Sequence, residues 1–257
     1  EKKIGINLAS RILTLYEGDT KVKMYHVGVG KTSTPTPTGY YAVQYKEVNP
    51  TWVDPDDTSV QIGPGPSNPI GYRWIGFYGN YGIHGTNHPE SIGGYVSNGC
   101  VRMNEADVED LYQYVSVGTP VTVYYDRLVI DVDPDHTVSY YVYPDGYGWQ
   151  SLSVAQVKKA LAGYGVEDFA EFQDISDKIN ASDGNVTYVA KAYDLVVNGN
   201  KLAKRALGKN GQIYLPSVAV ATALKLDLQW NSQQGILTSP YGIAPGYVKS
   251  DVVYMNA

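Results

Sequence analysis

The polar and apolar positions of the first thirty residues alternate with a period of two. In K-I-G-I-N-L, Ile4, Ile6 and Leu8 fall on one side, and R-I-L-T-L-Y continues after Ala9-Ser10, which predicts a hairpin. K-V-K-M-Y-H-V-G-V-G repeats the alternation through Val22, Met24, Val27 and Val29, so the same face is expected to run into a third strand. T-S-T-P-T-P-T-G-Y-Y-A-V then places two prolines and Gly39 in an extended segment that turns into another strand. Residues 54–73 read as a long loop, because prolines at 55, 64, 66 and 69 remove ladder donors. R-W-I-G-F-Y and Y-G-I-H-G return to the sheet and put His84 at a strand end. Beyond Met103, Asn104 reads as a helix N-cap with Asp107 three residues on. The helix then carries Ala106, Leu111, Tyr114 and Val115 on a partial apolar face and is expected to stop at Gly118. T-P-V-T-V-Y-Y closes the first unit as a strand.

After about residue 127 the pattern changes. Residues 128–188 are acidic and turn-rich, with helical periodicity in S-V-A-Q-V-K-K-A-L-A and near V-E-D-F-A-E-F, and are expected to form a connector with its own short helices. From 189 a second small unit follows, with strands at Y-D-L-V-V-N-G-N-K-L, Q-I-Y-L-P and L-D-L-Q-W and a helix at S-V-A-V-A-T-A-L. The reading is therefore a domain at 1–127, a connector at 128–188 and a small α+β domain at 189–257.

Composition narrows the functional classes. A net charge of −6 with no basic stripe argues against nucleic acid as a partner. No apolar run is long enough to span a bilayer as a helix. The chain begins with Glu1 rather than Met and shows no signal peptide, so trimming is expected, and an exported origin is left open. A single cysteine excludes an internal disulfide and a multi-thiolate zinc site. His84 and His88 stand four apart, but Gly85 and Pro89 oppose the helix that spacing would need, so no metal and no cofactor are expected. The 24 tyrosines against three phenylalanines fit exposed sheet surface, and wall or glycan contact is the sharper alternative.

The chemistry converges on Y-V-S-N-G-C-V-R-M, residues 95–103. A nucleophilic cysteine needs a base or a positive field to supply thiolate, and backbone donors for an oxyanion. Gly99 allows the backbone to turn close to a substrate at Cys100, His84 is the best placed base, and Gly85 leaves a carbonyl free to orient it. Taken one at a time, each residue has a structural alternative. A cysteine can be a small buried hydrophobe, a strand-end histidine can be structural, and an arginine can be a surface charge.

Together, T-P-T-P-T-G-Y-Y, I-H-G-T and S-N-G-C-V-R-M, in this order and spacing, resemble the L,D-transpeptidase family of bacterial cell-wall enzymes across about residues 2–125. The resemblance implies a mainly β fold with some α: a sandwich or barrel-like catalytic domain with a helix after the cysteine loop. It implies Cys100 as nucleophile, His84 as base and the Gly85 main chain as orienting member. Ser97, Asn98, Gly99 and Arg102 fall on substrate-binding positions, with Arg102 reading a carboxylate. Many members carry histidine where this chain has Asn98. The implied substrate is the stem tetrapeptide of peptidoglycan, cleaved before its terminal D-Ala and joined to a second stem. Water as acceptor (an L,D-carboxypeptidase) and a catalytically inactive wall-binding protein are the alternatives. Carbapenem acylation of Cys100 and an extracytoplasmic, cell-wall location, in a Gram-positive bacterium, are implied as well. Residues 190–237 resemble the copper amine oxidase N-terminal-like domain, with Leu195, Val197, Leu202, Tyr214, Leu215, Val218, Leu224 and Trp230 as its core. No histidine follows His136, so no metal is expected there.

Overall fold

In the structure, a computed structural model describing residues 1–257, the opening alternation becomes a meander of β1 (Lys2–Asn7), β2 (Ile12–Glu17) and β3 (Thr20–Gly30). Ile4 lies opposite Leu15 and Ile6 opposite Leu13, so one face of the pair is apolar throughout. The third strand departs from the expected phase. Val22 and Met24 are 49% and 59% exposed, whereas Tyr25, Val27 and Val29 are buried. Tyr25 pairs with Leu13 and Met24 with Thr14, which sets the odd-numbered residues on the core side there, and a register shift at Leu15/Tyr16 leaves Val22 without a partner on β2.

The same unit continues with β4 (Gly39–Ala42), β5 (Tyr45–Val48), a minimal hairpin of β6 (Trp52–Val53) and β7 (Gln61–Ile62), β8 (Arg73–Tyr78), β9 (Tyr81–His84), β10 (Tyr95–Ser97), β11 (Val101–Met103), α1 (Glu105–Tyr112) and β12 (Pro120–Tyr124). Its main sheet runs β4-β12-β1-β2-β3-β11-β9-β8-β5, with β10 added beside β3. The sheet curls. Tyr41 of β4 packs its ring 5.3 Å from Phe77 of β8, near the opposite end of the strand order. Inside lie Ile4, Ile6, Leu13, Leu15, Val27, Val29, Ile75, Phe77, Ile83, Val101, Met103, Val121 and Val123, sealed by Val108 and Leu111 of α1.

The helix ends at Tyr112, well before Gly118. Its open carbonyls are met by a lysine instead of by further turns: Lys46 Nζ donates to Tyr112 O (2.8 Å) and Val115 O (2.6 Å). Asn104 occupies the N-cap position with non-helical backbone, but its side chain makes no capping bond. The 54–73 loop is pinned around Asn68, whose side chain is fully buried and donates to Pro50 O at 2.8 Å while accepting from Ile70 N at 2.9 Å. Burial with every polar group bonded makes this an ordered loop.

The chain divides into two compact units, Glu1–Asp126 with Pro144–Gln150, and Arg127–Tyr143 with Ser151–Ala257. The segment 128–188 therefore differs from the expected connector. Its β13 (Leu128–Val132) and β14 (Thr137–Val142) are sheet strands, and its α2 (Val154–Ala162) and α3 (Phe172–Ala181) pack on that same sheet. The second unit goes on with β15 (Thr187–Tyr193), β16 (Val196–Val197), β17 (Asn200–Lys201), β18 (Ala206–Lys209), β19 (Gln212–Pro216), α4 (Ser217–Leu224), β20 (Gln229–Asn231), β21 (Ile236–Ser239), β22 (Gly242–Pro245), β23 (Tyr247–Lys249) and β24 (Val252–Asn256). Seven strands form one sheet in the order β13-β14-β15-β18-β19-β24-β23. Val138, Tyr140 and Val142 of β14 join Val157, Leu161, Ile175, Leu207 and Tyr254 in its core, which is why the two early strands cannot be a tether. The fold is mainly β with few helices.

Candidate active site

Strand parity builds the site. β9 and β11 are parallel neighbours, with Val101 opposite Ile83 and Arg102 opposite His84. Ile83 and Val101 are wholly buried on the core side, so Gly82, His84, Cys100 and Arg102 share the other face. Cys100 stands level with Gly82, one step before His84 on that face, and the thiol and the imidazole are diagonal neighbours on adjacent strands. The sequence keeps sixteen residues between them; the sheet brings them side by side.

His84 Nδ1 lies 2.5 Å from the Gly85 carbonyl oxygen. A carbonyl can only accept, so Nδ1 carries the proton and Nε2 keeps its lone pair for a proton from elsewhere. Burial pushes the His84 pKa down to about 4; the Gly85 carbonyl opposes this and the Arg102 charge adds to it. His84 is buried, and the face of its imidazole is covered by the Trp74 indole, stacked at 5.7 Å and 8°. Two glycines make room for that indole. A Cβ on Gly82 would come within 2.5 Å of Trp74, and one on Gly76 within 3.0 Å.

Cys100 is half-buried, and its Sγ points to Asn80 O at 3.6 Å. Burial pushes the thiol up, and the Gly82 main chain and the Arg102 charge do not reverse this. The sequence reading asked for a base or a positive field to supply thiolate. The site instead rests as neutral thiol beside neutral imidazole, because desolvation outweighs the arginine.

The cysteine loop is fixed by its own backbone. Ser97 Oγ donates to Cys100 O at 2.6 Å and accepts from Gly99 N at 3.1 Å. Gly99 has φ +127°, and a Cβ there would meet the Tyr81 ring at 2.3 Å, so only glycine serves at this position. The Thr-Pro segment closes over the same loop: Lys31 N and Thr34 Oγ1 both donate to Ser97 O at 2.9 Å, and the buried Thr36 accepts from Gly30 N. All three sequence motifs thus meet at Ser97–Cys100. Asn98 is exposed at the tip of the loop. The Arg102 guanidinium is half-buried and has no hydrogen-bonding or ion-pair partner in the chain, leaving a fixed cation open beside the thiol. His88 lies outside the group, paired with Glu90 at 3.0 Å on the surface.

Residues the sequence reading passed over include Trp74, Tyr81 and the glycines beneath the indole. Trp74 was hidden by a bulge. Counting back from the Gly79-Asn80 turn would set Ile75 opposite His84, but a register shift between Gly76 and Tyr78 sets Trp74 there.

The family comparison falls on this unit. Residues 1–123 match the YkuD family model, the L,D-transpeptidase catalytic domain. YqjB of Bacillus subtilis, an L,D-transpeptidase by name, is 44% identical over 112 residues, which cover 41% of this chain and 61% of that protein. The probable L,D-transpeptidase ErfK/SrfK of Escherichia coli is 32% identical over 161 residues, 58% of this chain and 49% of that protein. The chain thus spans about half to three fifths of these relatives. Among solved structures, an L,D-transpeptidase from Mycobacterium smegmatis superposes with TM-score 0.41 at 20% identity, over 48% of this chain and 58% of that one.

Proposed function

We propose that the unit carrying Cys100 is a peptidoglycan L,D-transpeptidase acting on the tetrapeptide stem. The observation that carries this reading is the pairing, on one sheet face, of the only thiol with an imidazole whose Nδ1 is tied to the Gly85 carbonyl. His84 Nε2 takes the thiol proton as Sγ attacks the carbonyl of the third stem residue, a diamino acid. The Cys100 backbone N–H is the donor offered to the developing oxyanion, since Gly99 N–H is held by Ser97 Oγ. Collapse breaks the C–N bond to D-Ala, and the proton held on His84 passes to the leaving amine. The thioester is then opened by the side-chain amine of a second stem, giving a 3→3 cross-link. The open guanidinium of Arg102 suits a stem carboxylate, which it would hold by a charge-assisted pair. Ser97 and Gly99 shape the loop, and Asn98 offers an amide at its rim.

A neutral thiol–imidazole pair fits general-base attack, in which the proton moves only as the bond forms. A carbapenem is expected to acylate the same sulfur. An extracytoplasmic place of work follows from the substrate. The C-terminal resemblance suggests attachment to the wall, and loss of sacculus pull-down on removing residues 189–257 is its check. The function itself is tested by incubating the protein with purified tetrapeptide muropeptides and weighing the products. A cross-linked dimer supports transpeptidation, tripeptide alone makes water the acceptor, and unchanged substrate contradicts the reading.

A further inference from the structure

Glu105, the first residue of α1, takes no part in the chemistry above, yet its carboxyl group lies against the histidine strand. Its Oε1 accepts from Tyr72 N at 2.8 Å. The same oxygen is so near two glycines that a Cβ on Gly71 would fall 2.1 Å from it and one on Gly85 2.2 Å. The two glycine backbones also touch, since a Cβ on Gly71 would meet Gly85 Cα at 2.9 Å. Gly71 has φ +67°, which closes the position to most side chains in any case. Oε2 is shielded from water and makes no hydrogen bond. An oxygen left so costs stability, and a buried polar atom without a partner calls for a reason.

We propose that Glu105 is a positioning residue for His84. It binds the end of the 54–73 loop to the Gly85 backbone and so fixes the carbonyl that holds Nδ1. Three segments meet at its carboxyl: the loop end at Gly71-Tyr72, the strand end at Gly85 and the start of α1. Gly85 has no side chain to hold its peptide plane, so the plane is set by what packs on it. The Gly85 carbonyl in turn fixes the imidazole tautomer and its rotation, as outer partners do for histidines in metal and triad sites. The inference rests on His84 acting as the base.

The groups around Glu105 act on its carboxyl in both directions, with a net upward shift. Burial raises the carboxyl pKa first, the Tyr72 N–H opposes this, Glu109 on the same helix raises it further and Arg73 of β8 lowers it. Arg73 is itself shared with Glu109, at 3.7 Å. Glutamine keeps the geometry, because its Oε1 can still accept from Tyr72 N.

The test compares the full chain with Glu105→Gln and Glu105→Ala. Turnover of tetrapeptide is measured together with the downfield NMR signal of the His84 Nδ1 proton, and melting temperature reports folding. Glu105→Ala is expected to lower kcat about tenfold to a hundredfold with KM little changed, as misplacement of a catalytic group does. It is also expected to move or broaden the Nδ1 proton signal, and Glu105→Gln to restore both. A folded Glu105→Ala protein with wild-type kcat and an unmoved signal would overturn the proposal, and so would Glu105→Gln as impaired as Glu105→Ala. If Glu105→Ala does not fold, Glu105→Asp, too short to reach Gly85, takes its place with the same expectations. If the wild-type protein turns over no stem peptide, the functional reading fails and the proton signal alone decides the positioning role.

Discussion

Cys100 and His84 are each shifted toward the neutral form by the same cause, removal from water, and that sets how the site should respond to pH. The rate through kcat/KM is expected to rise with a midpoint near pH 4 and to stay level through neutrality, since the base is lost only when His84 is protonated. A midpoint near 6.5 would place the imidazole in water. The same shift bears on stability. Between pH 6.5 and about 4 the unfolded chain binds a proton at residue 84 that the folded chain does not, so stability falls as pH falls through this window. The loss is about 3 kcal/mol relative to His84→Asn, measured as the difference in denaturant unfolding at the two ends. Asn98, exposed and unbonded, is held to a lesser part. Asn98→Ala is expected to slow turnover only modestly, whereas His84→Ala should silence it, and equal damage would contradict this division of roles. The placing of His84 beside the strand of Arg102 was legible because both sit in short motifs with fixed spacing. The protonation of His84 and Cys100 was not, because it depends on the Trp74 indole and the core beneath them.

At the scale of elements, the alternation of β1 and β2 was enough to place the first hairpin. Two irregularities defeated simple counting. The shift at Leu15/Tyr16 leaves Val22 unpaired, and the shift at Gly76/Tyr78 exchanges Ile75 for Trp74 opposite His84. Neither shift has a local sequence signal; each is set by what the strand packs against. The helix stop at Tyr112 depends on Lys46, a residue of β5 far away in the chain. The indole shelf over His84 gives a direct check. Gly82→Ala would drive a methyl group into Trp74, and overpacking of this kind costs about 1–3 kcal/mol. A loss of that size in denaturant unfolding, with reduced activity, is expected; an unchanged midpoint would mean that the indole does not lie across Gly82.

At the scale of the molecule, the first compact unit takes Glu1–Asp126 and Pro144–Gln150, and the strands and helices of 128–188 outside that return belong to the second. T-V-S-Y-Y-V carries its own alternation after the Asp133-Pro134 turn, a hairpin signal masked by the acidic composition around it. The partner strand β15 begins 45 residues further on than Val142, a distance at which pairing cannot be read from pattern. Residues 144–150 return to the first unit, where Tyr147 Oη donates to the Gly30 carbonyl at 2.6 Å and stacks with Tyr125. Gly30 is paired with Ser97, so this short segment supports the cysteine loop from behind. A fragment of residues 1–126 is therefore expected to melt about 5 °C or more below one of residues 1–150. Equal melting would show the segment to be dispensable. The central claim, a thioester on Cys100, is most directly tested by intact-mass measurement of the protein mixed with tetrapeptide stem. The account predicts an adduct equal to the stem without its D-Ala, on the wild-type protein and absent from Cys100→Ala. An adduct that persists in Cys100→Ala, or none on the wild-type protein while D-Ala is released, would contradict it.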